Sequence, residues 1–86
     1  MAGKPHAYTA QIVNEDDVMA DLVVMGNSGG QLFRGRVSRD LAHTVVSTAS
    51  EELRAQELDQ REREMTMDLV RSAKRELGSR LGVELD

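Results

Sequence analysis

The sequence predicts an α+β protein: a small antiparallel sheet of two or three strands, followed by a long C-terminal helix or two consecutive helices. Three observations carry this prediction. Residues 7–37 hold short runs in which apolar and polar side chains alternate, separated by clusters of turn-forming residues. From Arg36 to Leu77 there is neither glycine nor proline, although the chain carries seven glycines and one proline elsewhere. That segment is rich in Glu, Arg, Leu, Ala, Gln and Met, the residues that lose least on entering a helix. Its charges also form a gradient, with six acids and three bases over 50–64 and four bases and two acids over 65–80. Acids near a helix start and bases near its end complement the helix dipole. The 86 residues read as a single small domain, 1–86, with a sheet region over 7–37 and a helical region over 38–79.

Residues 1–6 read as a loose start. Ala7–Val13 then places Tyr8, Ala10 and Ile12 on one side of a strand and Thr9 and Gln11 on the other. Asn14-Glu15-Asp16-Asp17 is a polar turn. Val18–Met25 fits two periods. Strand alternation groups Val18, Ala20, Leu22 and Val24, whereas helical spacing groups Val18, Met19, Leu22 and Val23 behind Asn14 as an N-cap. The strand is favoured because Gly26-Asn27-Ser28-Gly29-Gly30 is a strong turn cluster leading into a further alternating run, Gln31–Val37. In that last strand Phe33 and Val37 are expected to face the core, with Arg34 and Arg36 in solvent.

Ser38 is placed to cap the following helix, with Asp40 in its first turn. At about 100° per residue, Leu41, Ala42, Val45, Val46, Ala49 and Leu53 share one arc, which should cover the sheet. From Ala55 onward the apolar arc turns, and Ala55, Leu58, Met65, Leu69, Val70, Ala73 and Leu77 share another, interrupted by the polar run 59–64. Either the chain breaks near Thr48–Ser50, where Thr48-Ala49-Ser50-Glu51 fits a capping box, or one helix continues and its two stripes serve different surfaces. The acid-before-base pairs Glu57–Arg61, Asp59–Arg63 and Glu76–Arg80 support an exposed helix through the polar run, which Gly78 or Gly82 would end. A single helix over 50–79 would run about 45 Å. It would then outreach its own globule and meet a second molecule.

Composition narrows the function. Tyr8 and Phe33 are the two aromatic residues, and there is no Trp, so the core rests on Leu, Val, Ala and Met. The absence of Cys excludes a disulfide framework, a cysteine zinc site and a thiol nucleophile. The first residues lack the apolar run of a signal peptide, and the longest apolar stretch, Leu22–Met25, is far short of a membrane span. A cytoplasmic protein with no membrane contact is expected. A net charge of −4 argues against nucleic-acid binding by overall charge.

No residue is assigned to catalysis, to a cofactor or to a metal, and the chain is read as non-enzymatic. Gly26–Gly30 resembles the glycine-flanked serine of trypsin-like proteases, but that chemistry needs a His and an Asp from distant upstream segments, and His6 is the one histidine upstream. The loop is read as a hairpin turn. His43 borders the first helical arc, without a second ligand at metal spacing. Asp16, Asp17 and Asp21 lack the ordered oxygen spacing of a calcium loop.

Two groups of residues remain as interaction candidates. Arg34, Arg36 and Arg39 sit near one edge of the sheet, where guanidiniums could hold a partner's carboxylates or phosphates. Met65, Leu69, Val70, Ala73 and Leu77 form a stripe for self-association as a homodimer. The expected function is therefore that of a non-enzymatic macromolecule-binding protein, a homodimeric regulator or inhibitor of the phage or mobile-element accessory type, acting by protein–protein contact. The alternative is a small nucleic-acid-binding regulator using the same three arginines.

Overall fold

A computed structural model describes residues 8–85; residues 1–6, expected as a loose start and including His6, and Ala7 of the expected first strand lie outside the described residues. The elements are β1 (Thr9–Glu15), β2 (Met19–Met25), β3 (Gln31–Ser38), α1 (Arg39–Ala55) and α2 (Gln60–Leu81). The three strands form an antiparallel meander in the order β1-β2-β3. Alternation decides which side is buried. Ala20, Leu22 and Val24 of β2 are fully buried, and their cross-strand neighbours are Val37, Gly35 and Phe33 on β3, with Ile12 and Ala10 beside Leu22 and Val24 on β1. The segment 18–25 is thus the strand that its flanking turns favour.

Gly35 has a packing reason. A Cβ there would lie 3.2 Å from the Phe33 ring, so the missing side chain lets the ring lie over the strand. Two extra residues interrupt the ladders. Val13 is unpaired in β1 between Ile12 and Asn14, and Leu32 is unpaired in β3 between Gln31 and Phe33.

α1 begins as its sequence directs, with the Leu41 amide donating to Ser38 Oγ at 3.2 Å. Ala42, Val45 and Ala49 press onto the sheet, while Leu41 and Val46 are half-buried at the flanks. Leu53, expected in the same arc, is 49% exposed, because in the last turns of α1 the buried face rotates to Glu52 and Ala55.

The helical region does break, but later than Thr48–Ser50. Thr48, Ala49 and Glu52 are all buried, so tertiary contacts carry α1 straight through the local capping pattern. Its last turn tightens at Gln56–Leu58, and Asp59 caps α2 by accepting from the Glu62 amide at 3.0 Å. Arg63 Nη2 then donates to the carbonyls of Gln56 and Leu58, at 3.2 and 3.1 Å, and ties the connection to the new helix. Glu57 and Asp59 lie in this connection rather than inside a continuous helix.

The 22 residues of α2 span about 33 Å. This helix does not outreach the fold, whose longest extent is 38 Å. It runs back along α1 and buries Val70, Lys74, Leu77 and Leu81. Gly82, at φ 76°, ends it, and the Val83 amide donates to the Gly78 carbonyl at 2.9 Å. A Cβ on Gly78 would stand 2.5 Å from the Val83 carbonyl oxygen. That glycine lets the chain fold back closely enough for Leu85 to enter the core.

A polar contact is sealed between the helices. Lys74 Nζ meets Glu52 Oε2 at 3.0 Å, with the two side chains 6% and 3% exposed. The ammonium also lies 5.9 Å from the centre of the Tyr8 ring. Glu52 Oε1 is buried without a hydrogen-bond partner. Tyr8 donates its hydroxyl to the Val45 carbonyl at 2.6 Å. Burial first, and then the Glu52 charge, push the Tyr8 phenol far above its ordinary value of 10.0, against the opposing hydrogen bond with Thr48.

Candidate functional site

Both helices lie on the Leu22 side of the sheet, which leaves the opposite face without a covering layer among the described residues. That face is mixed, with Thr9 and Gln11 on β1 and Arg34 and Arg36 on β3 beside the residues of β2. On β2 it presents Met19, Asp21, Val23 and Met25, all half-buried. A strand with apolar residues on both sides is the pattern of one buried on both faces. Val13, in the bulge of β1, and Val18, in the β1–β2 turn, are 62% and 68% exposed. A shallow depression of about 250 Å³ opens here, lined by Val13, Asp21, Leu22, Val23, Arg34 and Gly35.

The arginines divide on this surface. Arg34 stands across from Val23 and makes no ion pair among the described residues. Arg36, on the same side of β3 and across from Asp21, pairs with Asp16 at 2.5 Å and Asp21 at 3.6 Å. Arg39, at the start of α1, meets Glu15 at 3.1 Å, and His43 Nε2 lies 2.8 Å from the same carboxylate oxygen. The structure therefore brings Arg34 and Arg36 together on one face, but Arg36 and Arg39 are already matched by acids in and beside the β1–β2 turn. The group is a mixed-charge network, with Arg34 its one open cation among the described residues.

The acids of that turn are held by more than charge. Asp16 Oδ1 accepts from the amides of Met19 at 2.7 Å and Val18 at 2.9 Å. These two bonds, ahead of Arg36, lower its pKa below the ordinary 3.8. Glu15 is lowered from 4.5, first by its hydrogen bond with His43 and then by Arg39.

The expected self-association stripe also divides. Val70 and Leu77 are 1% and 4% exposed inside their own subunit, because α2 folds back on α1, and they cannot meet a second copy. Ala73 is half-buried, while Met65 and Leu69 are 66% and 74% exposed. Leu69 lines a groove of about 260 Å³ between the helices, together with Glu51, Arg54, Ala55, Leu58 and Thr66. The signal for the open sheet face was present in the sequence, in the outward residues Met19, Val23 and Met25. Lys74 gave no such signal, since a charged residue in an arginine-rich helix looks exposed.

Among the described residues there is no group of three or more His, Cys, Asp or Glu that could hold a metal ion. None of the described helices is long and apolar enough to cross a membrane. Compared with protein-family models, with curated proteins and with solved structures, the chain gives no match.

Proposed function

We propose that this is a non-enzymatic binding protein of regulator or inhibitor type that acts by protein–protein contact through the open face of its sheet. One observation carries the reading: Met19, Val23 and Met25 project from the central strand onto a face that neither helix covers, beside an Arg34 without an acid partner among the described residues. The occupant this surface suits is a protein segment with a row of apolar side chains and a carboxylate placed to meet Arg34. Arg36 and Arg39 hold the rim in shape through Asp16 and Glu15.

The test is selection from a random peptide library, followed by NMR mapping of the selected sequences. Selected peptides should combine apolar residues with Asp or Glu, shift the amides of β2 and β3, and lose binding to Val23→Arg and Arg34→Glu. Peptides that map elsewhere, or that ignore both substitutions, would sink the reading. The alternative, a nucleic-acid-binding regulator, has less support because two of its three arginines already face carboxylates. It would take over if DNA or RNA bound at low salt, with affinity falling steeply as salt rises and again on Arg34→Ala.

A further inference from the structure

The exposed flank of α2 beside its groove with α1 carries a second surface. At about 100° per residue, Glu62, Met65, Leu69, Ala73, Glu76 and Arg80 fall within roughly a quarter-turn of that helix. Met65 and Leu69 are largely exposed, and Ala73 lies half-buried one turn beyond Leu69. An apolar stripe of this length does not by itself say what covers it. The charges around it do.

Residues 60–70 of α2 carry three acids and two bases, and residues 71–81 carry four bases and one acid. Two copies of the helix laid antiparallel set the acidic half of each against the basic half of the other, with their dipoles opposed. The registration that seats Leu69 of one copy on Ala73 of the other also sets Glu62 opposite Arg80. Twofold symmetry makes each of these contacts twice. Parallel pairing would instead bring Glu62 to Glu62 and Arg80 to Arg80. A second copy of this chain carries the required complement by construction.

We infer that the protein pairs with a second copy of itself through Met65, Leu69 and Ala73 of α2, antiparallel across a twofold axis, with Glu62–Arg80 ion pairs at the two ends. The patch is small beside the surface that stable complexes bury, so the pairing is reversible and depends on concentration. It uses the side of the helices turned away from the open sheet face, and either surface can fail its test without the other.

Sedimentation equilibrium over micromolar to millimolar protein should show a monomer–dimer equilibrium. Leu69→Asp should weaken it by at least about tenfold, since a carboxylate would be desolvated against Ala73. Leu69 is exposed in the subunit, so the circular dichroism spectrum should stay unchanged. Glu62→Arg and Arg80→Glu should each weaken association by about fivefold, and the two together should restore it to within about twofold of the original. A monomer at every concentration would overturn the inference. So would a dimer indifferent to Leu69→Asp, or a double charge reversal that recovers nothing.

Discussion

Lys74→Met probes the contact between the helices most directly. Lys74 Nζ stands 3.0 Å from Glu52 Oε2, and both side chains are almost fully enclosed. At an effective dielectric constant of about 20, that separation corresponds to an attraction of about 5–6 kcal/mol. The substitution loses this attraction, but it also removes the cost of burying the ammonium. What remains is Glu52, enclosed by the same helices, with Oε1 already lacking a partner. Leaving one charge of a buried pair alone costs about 3–5 kcal/mol. A domain of 86 residues has a total stability of about 4–13 kcal/mol, so this variant should lose a large fraction of it. Adding Glu52→Leu removes the stranded carboxylate, and the double variant should return to within about 1 kcal/mol of the parent or exceed it. Urea denaturation of all four proteins at neutral pH, followed by circular dichroism, measures each value and the coupling between the sites. A Lys74→Met variant that loses less than about 1 kcal/mol would refute the reasoning. A double variant no more stable than Lys74→Met would do the same.

Three further outcomes follow from other parts of the fold. Gly78→Ala should destabilise by about 1–2 kcal/mol despite alanine's better helix propensity, because its Cβ would meet the Val83 carbonyl and lever Leu85 outward; thermal melting that moved upward would contradict this. Tyr8 is the sole tyrosine, and no Trp obscures its signal. Its folded pKa lies above the unfolded value of 10.0, so the stability it contributes is complete below that pH and declines as pH rises above it. Phenolate absorbance should therefore appear together with loss of helix, and a titration that precedes unfolding would show the ring to be accessible. Glu15 and Asp16 have folded pKa values below their ordinary 4.5 and 3.8, so their contribution is present above those values and declines as pH falls through them. Combining Glu15→Gln with Asp16→Asn should flatten the acid side of a plot of urea midpoint against pH, and an unchanged slope would assign that limb to other carboxylates.

The strands were legible because alternation and turn residues agree at each boundary. At 18–25 the ambiguity came from Met19 and Val23, whose apolar character on the second face imitates a helical stripe with Val18 and Leu22. The helix break was harder to see. Asp59 caps α2 from within a run of charged residues, where one aspartate resembles its neighbours. Thr48-Ala49-Ser50-Glu51 carries a cap pattern, yet Thr48 and Ala49 within it are buried, and burial overrides local preference. The shared face of Arg34 and Arg36 follows from strand period alone. Their different partners do not, because Asp16 lies 20 residues from Arg36 and reaches it only through the turn. Likewise, nothing in residue type separates Leu69 from Leu77. The crossing of α2 over α1 decides which of them is inside.

Each of the two bulges falls on an outer strand, Val13 on β1 and Leu32 on β3, and the central strand has none. An unbroken rim is a template onto which another molecule's backbone can zip, the first step toward fibrils. A rim kinked by one surplus residue offers no continuous row of amides and carbonyls. The central strand is therefore flanked on both sides by a rim that a bulge interrupts, an arrangement that discourages edge-to-edge pairing between molecules.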